Sequence, residues 1–400
     1  MLSVEQARAQ ILSAIKATGP ETVALANAAG RVLATPVMAR LTQPPADLSA
    51  MDGYAIRAAD GVEKAILSII GTAPAGHPFA GHVSAGQAVR LFTGSVIPNG
   101  ADTVIIQENV TRQNDTITVN EAAGAAKNIR RAGQDFATGD VLIPAGKLLT
   151  ARDIGLAAAG NHPWVTVHRR PKIAILATGD EISLPGEAIA AGGIVSSNAH
   201  MLAAFVTAAG GEPVVLPIAR DDITAIADGA DAARGADMLV TTGGASVGDH
   251  DLVQPALQAR GLSLDFWKIA MRPGKPLMFG NLGEMPVLGL PGNPVSAFVC
   301  ALLFLQPAIA ALGGLPGTAP TTETARLGAA LKPNDQREDY VRAHLHRDSD
   351  GWVATPFGMQ DSGMLRTLAN AGALIKRPAF DAARGTGVAV EIIRLGALGI

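Results

Sequence analysis

The chain has 400 residues, 48% apolar and 17% charged, with 45 glycines, 25 prolines and a net charge of −3. One core stops growing at roughly 250 to 300 residues, so several domains are expected, and the composition is that of a globular chain. The charge offers no basic field, which argues against nucleic acid or an anionic membrane as partner, and the single cysteine, Cys300, excludes an internal disulfide and points to a reducing, cytoplasmic compartment.

The first residues carry Glu5 and lack a basic start, so they do not read as a signal peptide. Ser3 with Gln6 forms a capping-box pattern, and Ala7, Ile11 and Ile15 repeat at four-residue spacing up to Gly19-Pro20, which predicts an amphipathic helix. Pro36, Pro44 and Pro45 then forbid regular helix and lead an extended chain to Ser49-Ala50-Met51-Asp52-Gly53-Tyr54-Ala55. Asp52 beside Gly53 is, in its commonest use, a turn whose carboxylate caps its own backbone. Short alternating runs over 65–108, broken by Thr93-Gly94 and Pro98-Asn99-Gly100, predict a small β unit. Thr150 caps a further helix ending at Gly160. It echoes the first helix, which groups 1–45 with 131–170 as a helical and linker domain interrupted by a β insert domain, 46–130.

From Arg170 strands and helices alternate as in a doubly wound α/β domain, here 171–320. The expected order is a strand Lys172–Ala177, a helix from Asn198, a strand over 214–216, a helix capped by Asp222, strands over 238–242 and 286–290, and a helix over 296–312. The most apolar segment, 297–305, is interrupted by Gln306-Pro307 and falls short of the roughly 20 residues that span a bilayer, so it reads as a core helix around a buried Cys300. Beyond 320, alternation over 340–346 and 388–392 predicts a C-terminal small β domain, 321–400. His344 and His346 share one strand face there, and without a third ligand that face reads as solvated.

Three strand ends of the α/β unit carry the same equipment: Thr178-Gly179-Asp180-Glu181, Thr242-Gly243-Gly244 with the run to Asp251, and Pro291-Gly292-Asn293-Pro294. Glycines let backbone amides approach an anion, and the carboxylates suit a hard cation such as magnesium. Arg272 and Lys275 stand in a proline-stiffened loop suited to gripping an anion. No dinucleotide fingerprint, P-loop or nucleophile elbow occurs, so the chain reads as binding a phosphorylated ligand with divalent metal at the sheet edge.

Together and in this order, the 49–55 heptapeptide, Phe92-Thr93-Gly94, Thr178-Gly179-Asp180-Glu181, Thr242-Gly243-Gly244-Ala245-Ser246-Val247-Gly248, Arg272-Pro273-Gly274-Lys275-Pro276 and Leu290-Pro291-Gly292-Asn293-Pro294-Val295-Ser296 resemble the molybdopterin molybdenumtransferases, the bacterial MoeA proteins and the E domain of gephyrin. The resemblance runs nearly end to end. It implies Mg2+-dependent insertion of molybdate into adenylylated molybdopterin with release of AMP. It also implies a homodimer of four-domain subunits, the α/β domain of one facing the Asp52 domain of the other. Implied further partners are the adenylyltransferase of the same pathway and the molybdoenzymes that accept the cofactor.

By motif position the resemblance makes Asp52, Glu181, Asp251 and Lys275 catalytic, and Asp52, Glu181, Asp221 or Asp222, and Asp251 the metal carboxylates. Substrate contacts fall to Thr93, Thr178, Gly179, Asp180, Gly243, Gly244, Ser246, Gly248, Gly292 and Asn293, with Arg272 gripping anion and Pro291 and Pro294 shaping the pterin loop. Ser196 departs from a common aspartate and Gln254 from a frequent lysine. Two other readings stand beside this one: the pathway's adenylyltransferase, whose fold resembles the α/β domain alone, and a scaffold that kept the fold without the chemistry.

Overall fold

Apolar strands without alternation need cover on both faces, and three such strands pair in parallel here beside a fourth, exposed edge strand. In a computed structural model that describes residues 1–243 and 252–396, Lys172–Ala177 lies between Glu212–Val215 and Met238–Thr242, and Met238–Thr242 pairs in turn with Met285–Leu290. Side chains sort strictly by parity. Ile173, Ile175, Val240 and Leu288 face one core with the helix Asn198–Ala208 and the helical run 294–312, while Ala174, Leu176, Leu239 and Val287 face a second core with helices Ile223–Ala232 and Val253–Ala259.

Two strands extend the sheet beyond expectation. Leu262–Trp267 and Met278–Leu282 add antiparallel at one edge, so the sheet is mixed. A two-residue turn at Gly283-Glu284, with Gly283 at φ 62°, joins Met278–Leu282 to Met285–Leu290 as a hairpin, a local turn signal that the strand–helix rhythm had obscured.

The apolar helix runs to Leu312 as expected and opens two residues earlier, at Pro294; it passes Gln306-Pro307 because a wider turn over Ala301–Leu305 precedes a proline that has no N–H to donate. At 19 residues and mean hydropathy 2.2 it is long and apolar enough to cross a membrane, yet 83% of that window is buried within the fold. Cys300 is buried there, its thiol pushed up by desolvation.

The chain divides into two compact units, one of Met1–Glu21, Gly30–Ala34 and Thr166–Ile400, the other of Thr22–Ala29 and Thr35–Val165. Residues 1–21 thus fall in the first unit and 131–165 in the second. Ser3 and Gln6 do close a capping box, but the helix they start, Val4–Ala14, buries Val4, Ala7 and Ile11 in the α/β core. The first unit also holds a six-stranded C-terminal sheet. Its outermost strand is Met271–Arg272, paired with Glu338 and Asp339, which ties the Arg272 loop to the 321–396 region.

In the second unit, six strands make one sheet in the order Thr103–Ile106, Gly53–Ile56, Gln87–Leu91, Ile66–Ala73, Thr116–Val119, Val110–Gln113. Gly53 is required by closeness: a Cβ there would lie 2.0 Å from the Ile105 carbonyl oxygen. Thr150 caps Ala151–Ala159 as expected, with Asp153 accepting from its N–H at 2.8 Å and its hydroxyl at 2.6 Å.

Candidate active site

The carboxyl ends of the parallel strands open into a cavity of about 890 Å³ within the first unit. Thr178, Gly179 and Glu181 follow the first strand, Thr242 and Gly243 the third, and 291–294 the fourth. Gly243 has φ 101°, and a Cβ on it would come within 2.5 Å of the Thr178 carbonyl oxygen, so only glycine lets these two loops close. Gly179 has φ 147°, and a Cβ on it would lie 2.6 Å from the Glu181 carboxylate, which would have to swing aside.

Asn198 binds the loops together. Its Nδ2 donates to Thr242 Oγ1 at 2.9 Å and to the Gly292 carbonyl at 2.7 Å. Among the described residues its Oδ1 and the hydroxyl of Thr178, a residue only 2% exposed, are buried without a partner. A buried unsatisfied polar atom costs about 1 to 3 kcal/mol, and both residues line the cavity.

The structure separates the acidic candidates. Asp221 lines the cavity, and Asp180 braces it: each accepts the other's backbone N–H, at 3.2 and 3.4 Å. Asp222 instead spends Oδ1 on Thr224 and Ala225 N–H groups at 2.9 Å as the cap of the next helix. Among the described residues no three His, Cys, Asp or Glu side chains gather as a metal site. Glu181 and Asp221 nonetheless both line the cavity with hard oxygen donors, the chemistry that suits a divalent cation drawing its other ligands from phosphate and water. Gly244, Ser246, Gly248 and Asp251 lie outside the described residues.

The cations divide as well. Lys275 lines the cavity, and among the described residues its ammonium has no hydrogen bond or ion pair. Arg272 lines it too, but its Nη2 donates to Asp339 at 2.5 Å and to Asn334 at 3.3 Å, and Asp335 lies 3.7 Å from Nη1. The hydrogen bond to Asp339 raises its pKa, and its charge is largely compensated before any anion arrives.

Besides Asn198, four wall residues from the C-terminal sheet region escaped the sequence reading of the site: Arg337, Gln360, Asp361 and Ser362. Ser362 accepts from Asn293 Nδ2 at 2.8 Å, and its carbonyl accepts from Val295 N at 3.1 Å, so this segment seats the start of the long helix. Arg342, 1% exposed, exchanges hydrogen bonds with Gln360 in both directions at 2.9 to 3.3 Å and holds the segment from behind. The only available signal was the polar, glycine-flanked run 358–363 between a strand and a helix. His344 and His346 are exposed, with the His344 ring 4.0 Å from that of Phe357.

In the second unit Asp52 does not cap its own turn. Its Oδ1 accepts from Thr93 N at 2.8 Å and Thr93 Oγ1 at 2.9 Å, 41 residues away, and the backbone donor above all lowers its pKa. The bland reading of the Asp-Gly pair is thereby overturned, because the neighbouring strand end supplies better donors than the local backbone.

Family models cover nearly all of this architecture: the MoeA N-terminal region (domains I and II) matches 2–160, a probable molybdopterin binding domain 174–311, and the MoeA C-terminal region (domain IV) 324–395. A molybdopterin molybdenumtransferase of Nostoc sp. is 37% identical over 387 residues, 94% of this chain and 88% of that one. The chain belongs to the molybdopterin molybdenumtransferase family. It is thus an enzyme, a transferase. The Haemophilus influenzae molybdopterin molybdenumtransferase is 35% identical, covering 94% of each chain. The crystal structure of the molybdopterin biosynthesis MoeA protein from Pyrococcus horikosii superposes with TM-score 0.86 at 29% identity, covering 98% of this chain and 99% of that one. The cavity of this family member is built from the molybdopterin-binding region and closed by the C-terminal one.

Proposed function

We propose that the chain inserts molybdate into adenylylated molybdopterin, releasing AMP and molybdenum cofactor. The observation that carries this reading is the cavity itself. Thr178 Oγ1 and Asn198 Oδ1, without partners among the described residues, share with Lys275 and the carboxylates of Glu181, Asp221 and Asp361 the lining of a space sized for a pterin nucleotide. Thr178 and the glycine-rich strand ends bind the phosphate region, with Pro291 and Pro294 shaping the loop that takes the pterin. Attack of a molybdate or water oxygen on the phosphoanhydride forms the new P–O bond as the old one breaks and places growing negative charge on the departing AMP phosphate, which the Lys275 ammonium lining the cavity would stabilise. Magnesium, held by Glu181 and Asp221, would supply charge neutralisation and orientation of phosphate oxygens when bound. Arg272, already paired, serves to hold the loop that carries Lys275.

The same reading makes the protein a cytoplasmic homodimer, completed by Asp52 of the second subunit, that receives substrate from the pathway's adenylyltransferase and passes cofactor to molybdoenzymes. It divides the chain into four domains at 46, 131, 171 and 321. The purified chain given adenylylated molybdopterin, molybdate and Mg2+ should release AMP and yield cofactor that activates a cofactor-free molybdoenzyme. AMP transfer from ATP to molybdopterin in place of that release would favour the adenylyltransferase, and inertness in both assays would favour a scaffold.

A further inference from the structure

We infer that Arg90 is a positioning residue for Asp52, fixing the carboxylate through a guanidinium that ties together both strand ends beside it. This rests on the reading that Asp52 belongs to the reaction site. Asp52 Oδ1 is occupied by both Thr93 donors, while Oδ2 has no hydrogen bond among the described residues and is the oxygen left for a ligand. Its aim depends on two segments: the turn into Gly53–Ile56, and the strand end that presents Thr93 after Gln87–Leu91.

Arg90 touches both. It stands opposite Tyr54 in the sheet register. Nη1 donates to the Gly53 carbonyl at 3.2 Å, one residue past Asp52. Nη2 donates to Gln107 Oε1 at 2.6 Å, and the Gln107 N–H in turn donates to the Asp52 carbonyl at 3.1 Å. The guanidinium carbon lies 5.1 Å from the Tyr54 ring centroid and 5.0 Å from that of Phe92, the residue before Thr93. One planar fork thus fixes Gly53, Gln107 and Phe92, and through them Asp52 and Thr93. Lysine has neither the fork nor the stacking plane.

A small misplacement of a reacting group costs as much as about a hundredfold in rate. Arg90→Gln and Arg90→Lys should therefore each lower kcat between about tenfold and a hundredfold, with KM for molybdate and adenylylated molybdopterin little changed. Amide hydrogen exchange at Thr93 should quicken in both. A purely structural brace would lower stability and leave kcat of the folded fraction intact. Should Arg90→Gln fail to fold, Arg90→Lys alone decides. Unchanged kcat in a folded Arg90 variant, with Asp52→Ala inactive, overturns the positioning role alone. Full turnover in Asp52→Ala overturns the reading of Asp52, and the positioning role with it.

Discussion

Thr178 and Gly243 show how one residue can be committed to the ligand and its neighbour to the backbone that closes the loops. The Thr178 hydroxyl is buried and has no partner among the described residues, so replacing it with an isosteric apolar group relieves a penalty of about 1 to 3 kcal/mol in the free protein. Thr178→Val should leave the thermal midpoint equal or higher and lower kcat/KM for adenylylated molybdopterin, about tenfold for one lost hydrogen bond to phosphate. A lowered midpoint with intact kcat/KM would assign that hydroxyl to the fold. Gly243→Ala is the opposite case. Its Cβ meets the Thr178 carbonyl at 2.5 Å in a backbone conformation at φ 101°, so the loop must move. It should cost about 1 to 3 kcal/mol in denaturant unfolding and abolish AMP release.

At the scale of elements, two helices make contrasting demands. In Ala151–Ala159 the cap carboxylate of Asp153 is held mainly by Lys147 at 2.5 Å and then by Thr150, which together bring its pKa from 3.8 to about 2. A depressed carboxylate contributes stability that is complete above its unfolded pKa and fades as pH falls through the folded one. The contribution should therefore fade between about pH 4 and pH 2. Urea midpoints over that range should converge between wild type and Asp153→Asn, while at pH 7 the variant should be less stable by about 1 to 2 kcal/mol. Parallel curves across the whole range would refute the cap's role. The helix from Pro294 to Leu312 depends instead on burial. Leu302 is 0% exposed in the main core, and Leu302→Ala should cost about 2 to 5 kcal/mol in the same measurement.

For the whole molecule, the proposal of a site completed between subunits makes a complementation prediction. Asp52→Ala and Glu181→Ala homodimers should each be inactive, and heterodimers carrying one of each should regain AMP release from the single site that retains both carboxylates. Proven heterodimers without activity would confine the site to one chain. Chelation of magnesium should stop turnover of the wild-type enzyme, with readdition restoring it.

Much of this protein was legible in its residues because the signals act within one helical turn or one strand. Ser3 with Gln6, Thr150 with Asp153, and Asp222 over Thr224 and Ala225 set helix starts by hydrogen bonds three residues long or shorter. The parallel strands announced themselves by unbroken apolarity, and the glycine-rich loops after them marked the sheet edge. What the tertiary structure decided was which distant groups meet. Asp221 and not Asp222 faces the cavity, because the helix start claims the second carboxylate for its own amides. Arg272 is ion-paired with Asp339 through a strand pairing 67 residues apart, and the segment from Gln360 to Ser362 that lines the cavity is tied to the buried Arg342 through Gln360. Such meetings depend on register between strands far apart in sequence, and register is set by the packing of the whole sheet.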